Sequence, residues 1–199
     1  MLSRATVPGD RAIRESLLSR LRRRHEGEED VAFMEELGLC RGEVRVDVAV
    51  VNGSLHGYEI KSDRDSLRRL SNQVALYGRV LDRATLVVGE RHADDASALV
   101  PAWWELMIVR VSSAGIALKR IRAGRTNPAL DPRALVELLW LEDARALLAA
   151  RDSLHGYGRR PRVAVWDRIC ELYDVDEIAD EVRARLKARS ASRSVQPPL

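Results

Sequence analysis

The sharpest chemical signal in the chain is one aspartate among valines and a Glu-x-Lys shortly after it. Asp47 lies in RVDVAVV (45–51), and Glu59 and Lys61 lie in YEIKS (58–62). Two carboxylates brought side by side repel each other unless something cationic sits between them. Oxygen ligands of this kind suit Mg²⁺ or Mn²⁺. Such an ion lowers the pKa of a bound water and neutralises charge on a phosphoryl oxygen. Lys61, on the same strand face as Glu59, is placed to orient the attacking water or contact the phosphate. The backbone carbonyl of Ile60 offers one more oxygen. Glu-x-Lys alone is common and ordinarily marks the wet side of an amphipathic strand. The aspartate in matching parity on the neighbouring strand is what distinguishes this stretch.

Parity depends on the connection between the two strands. Side chains alternate faces along a strand, and a one-residue change of register exchanges them. A two-residue Asn-Gly loop pairs Val51 with Ser54 and mixes Glu59 and Lys61 among Val46, Val48 and Val50. An odd loop with Gly53 left-handed separates the two kinds of residue. Val46, Val48, Val50, Tyr58 and Ile60 then share a buried face, with Asp47, Glu59 and Lys61 on the other. The odd loop is the expectation.

The elements around this hairpin can be read from periodicity. Ile13, Leu17, Leu18 and Leu21 recur at helical spacing over 10–24, with Asp10 as N-cap. VAFMEEL (31–37) reads as a strand, and the hairpin strands run over about 44–51 and 55–61. Residues 65–81 form a helix whose stripe is Leu67, Leu70, Val74, Tyr77 and Leu81. ATLVVG (84–89) is the continuous apolar run of a strand covered on both faces. A short helix near 93–99 and a pair of strands, LMIVRV and IALKRI, follow. Beyond TNPALDP, residues 133–150, 162–173 and 176–189 read as helices. The fold class is α/β with a mixed sheet. The division is a core over 1–125, a helical C-terminal region over 126–190 packed on or beside it, and a disordered tail over 191–199.

Composition sets the outer limits. With 46% hydrophobic and 32% charged residues, the 199-residue chain has the profile of a soluble globular protein. No apolar run approaches the ~20 residues of a membrane span, and the N-terminus lacks a signal peptide's apolar core. No membrane partner and a cytoplasmic location are expected. Cys40 and Cys170 stand far apart, without the spacing of a disulfide framework or a zinc site. There is no Ser-His-Asp or Cys-His arrangement. Net charge is only +3, with 33 Lys and Arg against 30 Asp and Glu. Local arginine clusters therefore say more than the total about a nucleic-acid partner.

Asp47, Glu59, Ile60 and Lys61, with their element order, resemble the PD-(D/E)XK nuclease superfamily. Its core is αβββαβ, restriction-endonuclease-like, with an Asp on one strand and Glu-x-Lys on the next. Gln73 and Tyr77, in SNQVALYG, resemble the QxxxY motif of RecB-type members, and the whole chain has the look of an uncharacterised bacterial family within the superfamily. Val46 stands where the family's Pro would. The resemblance implies a Mg²⁺- or Mn²⁺-dependent nuclease acting on DNA, with RNA left open. Asp47 and Glu59 would hold the metal with the Ile60 carbonyl, Lys61 would assist the water, and Gln73 would border the site. An upstream acid is also implied, with Glu36 ranked ahead of Glu35 and Glu15.

Arg64, Arg68 and Arg69 open the helix after Glu-x-Lys, where they and Tyr77 would meet DNA; Tyr77 also belongs to the apolar stripe. Arg159, Arg160 and Arg162 are a further candidate cluster, and a helix-turn-helix over 162–189 rests on spacing alone. His56 reads as structural and His92 as a candidate phosphate contact. Trp103 and Trp104 read as packing residues. A homodimer is an allowed assembly. The rival class is a nuclease-like fold kept as a catalytically inactive DNA-binding or assembly module.

Overall fold

The valine-rich runs form the middle of a six-stranded mixed sheet. A computed structural model of the chain describes residues 8–113 and 115–195. Helix α1 (Asp10–Arg24) is followed by β1 (Ala32–Leu39), β2 (Val44–Val51), β3 (Leu55–Lys61), α2 (Leu70–Tyr77), β4 (Arg83–Gly89), α3 (Ala93–Leu99), β5 (Glu105–Ser112) and β6 (Gly115–Arg122). Four helices complete the chain: α4 (Pro132–Val136), α5 (Leu141–Ala150), α6 (Arg162–Leu172) and α7 (Val175–Val195). The strands lie in sequence order across the sheet. β3, β4 and β5 are parallel to one another, and the remaining neighbours are antiparallel. Among the described residues, no helix is long and apolar enough to cross a membrane.

Two apolar layers hold the sheet. On one side Ile13, Leu17, Leu18 and Leu21 of α1 pack against Val48, Val50, Tyr58, Ile60, Val87 and Met107. Their helical spacing is the reason α1 lies flat on the strands. On the other side a larger cluster joins Ala49, Val51, Leu86 and Leu106 to residues of α2 and α3 and of all four C-terminal helices. The C-terminal helices therefore share a core with the sheet.

The β2–β3 connection is odd, as expected. Val51 pairs with Leu55, leaving Asn52, Gly53 and Ser54 in the turn, with Gly53 at φ +61°. Tyr58 and Ile60 accordingly join Val48 and Val50 beneath α1.

Val46 departs from the expected face. It packs with Ala49 and Val51 in the larger cluster, not with Val48 and Val50. The alternation slips at Asp47, opposite the one irregular residue of β1. Pairs Glu35–Val48 and Leu37–Val46 bracket this point, and Glu36 between them has φ +54°. The displaced Val46 helps explain Gly57. A Cβ there would lie 2.4 Å from Leu81 and 3.1 Å from Val46.

Other boundaries moved for local reasons. Gly9, not Asp10, is the N-cap of α1. The helix expected over 65–81 is shorter, with a 3₁₀ turn at Leu67–Arg69 before Leu70–Tyr77. The helix expected over 133–150 is two, because Asp131 caps α4 and the chain turns before Trp140. Helix α7 continues to Val195, into the segment expected to be a disordered tail. Arg189 and Ser190 anchor it through the carbonyls of Leu138 and Phe33. Residues 196–199 of that tail lie outside the described residues.

Candidate active site

The β2–β3 ladder stops at Val48–Tyr58, and the site forms where the strands part. There the Asp47 carboxylate replaces a ladder bond, accepting the Ile60 N–H at 2.7 Å. Its other oxygen accepts from Arg14 Nη2 at 2.9 Å, and the same nitrogen is 2.7 Å from Glu36. Helix α1 thus delivers a cation between a carboxylate of β1 and one of β2. Asp47, Glu59, Lys61, Glu36 and the backbone of Ile60 line one cleft of about 400 Å³.

Glu59 is buried and surrounded by donors. Lys61 Nζ and Gln73 Nε2 each lie 2.5 Å from Oε1, and the Tyr77 hydroxyl lies 2.5 Å from Oε2. The same hydroxyl is 2.6 Å from the Arg45 carbonyl. Charge-assisted bonds of this kind offset the cost of burying a carboxylate. Asp47 is less well compensated. Burial, then the nearby Glu59 charge, pushes its pKa up to about 6, against the pull of Ile60 N–H, Arg14 and Lys61.

The loop after Lys61 is pinned against β4. A Cβ on Gly89 would lie 2.1 Å from the Asp63 carboxylate, so only glycine permits this approach. Asp63 accepts the Arg91 N–H at 3.2 Å, and Asp65 accepts both the N–H and the hydroxyl of Ser62.

The other anticipated residues divide clearly. Glu36 reaches the cleft, whereas Glu15 pairs with Arg11 on the exposed side of α1. Glu35 is exposed on β1. Arg69 lines the cleft, and Arg64 and Arg68 are exposed nearby in sequence. Tyr77, expected to touch nucleic acid, is only 1% exposed and stacks on the buried Trp104. Its work is to hold Glu59. His92 meets the Asp65 carbonyl at 3.0 Å. Arg14 is a site residue that the sequence pattern does not single out; its signal is a cation one residue beyond Ile13 in an otherwise apolar stripe.

The donor set can be tested against a divalent cation. Asp47, Glu59 and the Ile60 carbonyl offer only oxygens, the preference of Mg²⁺. Gln73 Oε1 is a buried acceptor with no hydrogen-bond partner, as Arg14 Nε is a buried donor without one; the amide oxygen is one more uncommitted oxygen beside Glu59. Chemically the residues fit such an ion. No three His, Cys, Asp or Glu side chains form a metal cage among the described residues; here Arg14 and Lys61 supply the neutralising charge.

Comparison with known proteins gives the chain its place. A solved structure of a protein of unknown function from Silicibacter pomeroyi, SPO1766, is 26% identical and covers 73% of this chain and 92% of that one, with a TM-score of 0.43. SfsA of Pyrococcus furiosus, solved in complex with Ca²⁺, is 13% identical over 61% of this chain and 65% of that one, with a TM-score of 0.34. Protein cII of Enterobacteria phage P4 is 27% identical over 119 residues, 60% of this chain. The match spans 45% of that relative's length. The family model described as Bacteriophage P4 protein cII matches residues 4–196, and the chain belongs to that family.

Proposed function

We propose that this protein is a metal-dependent nuclease that hydrolyses DNA phosphodiester bonds on a restriction-endonuclease-like core of PD-(D/E)XK type. The observation that carries the reading is the pairing of Asp47 and Glu59 at the parted end of one hairpin, with Lys61 held on Glu59 in the same cleft. Asp47, Glu59 and the Ile60 carbonyl would hold Mg²⁺ or Mn²⁺, with Glu36 as the upstream acid. Bound there, the ion would supply an acidified water and charge neutralisation at the phosphoryl oxygen. Gln73 and Tyr77 keep the Glu59 carboxylate oriented. Lys61 carries the cation that orients the attacking water. Arg14 steadies Asp47 and Glu36 against each other, and Arg69 stands at the rim to receive a phosphate.

One observation favours a second reading. Each carboxylate already has a cationic partner from its own chain, which is also what a nuclease-like module without catalysis would retain. Incubation with single-stranded, duplex and branched DNA, with and without Mg²⁺ or Mn²⁺, separates the two. Cleavage that needs the metal, together with a metal-dependent rise in melting temperature, supports the nuclease. DNA binding with neither cleavage nor a thermal shift supports the module. Replacing Arg64, Arg68 and Arg69 together should weaken DNA binding across sequences and flatten its salt dependence. Unchanged affinity at low salt would move the contact surface elsewhere.

A further inference from the structure

Helix α1 carries different chemistry at its two ends. Arg14 serves the cleft, while its last turns bear Arg20 and Arg24. The sheet brings two more arginines to that far end. Arg83 opens β4 opposite His56, and Arg120 on β6 pairs with Met107, whose side chain lies in the core beneath α1. Glu105 opens β5 opposite Thr85 and stands within electrostatic reach of all four arginines. The four are exposed. None has an ion-pair partner among the described residues. Arg20 donates to the Leu118 carbonyl at 2.9 Å and Arg83 to the Thr126 hydroxyl at 3.4 Å. Those bonds aim the guanidinium groups without neutralising them. Four cations thus share one half-buried carboxylate.

Spacing and surroundings narrow the occupant. Arg24 lies about 15 Å from Arg14 along α1 at 1.5 Å per residue. Arg83, beside His56, lies about 17 Å from Lys61 along β3. Phosphates on one strand of a duplex recur roughly every 3.4 Å of axis, so patch and cleft stand about four to five nucleotides apart. Single-strand binders add exposed rings on which bases stack. The rings here, His56 and Tyr58, turn inward and stack on each other at 4.3 Å. The match is to the backbone of a duplex.

We propose that Arg20, Arg24, Arg83 and Arg120 form a second phosphate-binding surface that grips duplex DNA about half a helical turn from the cleft. The naming of DNA rests on the nuclease reading. Binding of a labelled 24-base-pair duplex to the full chain in EDTA, across a salt series, tests the surface separately from cleavage. Arg24→Gln/Arg83→Gln should weaken binding about tenfold or more and reduce the salt slope by about two. Glu105→Gln should tighten binding, a direction that unfolding cannot imitate. The charge-matched control Arg168→Gln/Arg185→Gln removes two arginines that have ion-pair partners on the C-terminal helices and should change little. If the wild type binds in EDTA but does not cut when Mg²⁺ or Mn²⁺ is supplied, and the double variant loses affinity, the nuclease reading falls and the surface stands. Wild-type affinity in the double variant, equal loss in the control, weaker binding by Glu105→Gln, or no DNA binding by the wild type would each overturn it.

Discussion

One hairpin carries two polar clusters that solve the problem of burial in opposite ways. Near the turn, His56 meets the Thr85 hydroxyl at 2.8 Å and the Tyr58 hydroxyl at 3.2 Å. Burial, aided by nearby arginines, keeps that imidazole neutral down to about pH 3. At the far end, where the ladder stops, Asp47 and Glu59 face Arg14 and Lys61 across an open cleft. The first cluster discards charge and closes. The second retains charge, with cations of its own chain as counterweights. Polar groups in a core are inexpensive when neutral and fully bonded. A cluster that keeps its charge at such cost is the better candidate for chemistry.

The strongest way to break this contrast is at Lys61 and Asp47. Lys61→Ala and Asp47→Asn should each abolish metal-dependent cleavage while leaving a folded protein, measured by nuclease assay beside thermal melting. Retained cleavage in either would reduce the charged cluster to a structural one.

The neutral cluster should reveal itself through pH. An exposed histidine in the unfolded chain takes up a proton below about pH 6.5, whereas folded His56 does not until about 3. Between those values the unfolded state binds more protons, so stability falls as the solution is acidified. The His56 share is about 2–3 kcal/mol between pH 6.5 and 4.5. Denaturant titrations of the wild type and His56→Gln at both values should show this difference in pH slope; parallel slopes would mean that His56 is charged in the fold.

Tyr77→Phe sharpens the comparison from the other side. It removes one hydroxyl serving both Glu59 and the Arg45 carbonyl and should cost about 1–3 kcal/mol. Its melting curve should show that loss in the absence of metal or DNA.

The smallest expected effect is a gain. Folded Asp47 holds its proton to about pH 6, so its charged form penalises the fold above that pH. Asp47→Asn should therefore stabilise the metal-free protein at pH 7 by about 1 kcal/mol, a share of the full shift discounted because the cleft admits solvent; the pull of Arg14 is already counted in that shift. The gain should fade as pH falls through 6 toward 4. A loss of stability at pH 7 would show that Arg14 outweighs desolvation.

The hairpin was legible because two local rules agreed. Alternation sorted its residues, and only an odd loop kept the sorted faces apart, which is the connection that Asn52, Gly53 and Ser54 make. The same rule failed at Val46, because the irregular Glu36 belongs to another strand. Tyr77 was hard to judge for a related reason. Helical spacing puts it in the apolar stripe, but not that its hydroxyl would meet a carboxylate 18 residues earlier. Arg14 is the site residue least visible in the sequence, since Asp47 lies 33 residues away on the sheet. The breadth of the apolar stripes was readable, and with it the mixed α/β class. The reach of α7 to Val195 depended on contacts with β1 and with the turn before Trp140.

The position of α7 bears on how the molecule behaves at high concentration. A sheet in sequence order has two outer strands, β1 and β6. Lys119 and Arg120 are exposed on β6, and like charges on an outer strand discourage lateral addition of another copy. β1 carries Phe33, Met34, Leu37 and Leu39 beside only two like charges, Glu35 and Glu36. Helix α7 adds cover at the start of that strand, where its Ser190 hydroxyl reaches the Phe33 carbonyl and its Lys187 pairs with Asp30. A chain ending at Asp174 would keep every residue of the cleft yet uncover both this edge and the core that Ile178, Val182 and Leu186 cover, and should self-associate at concentrations where the full chain does not.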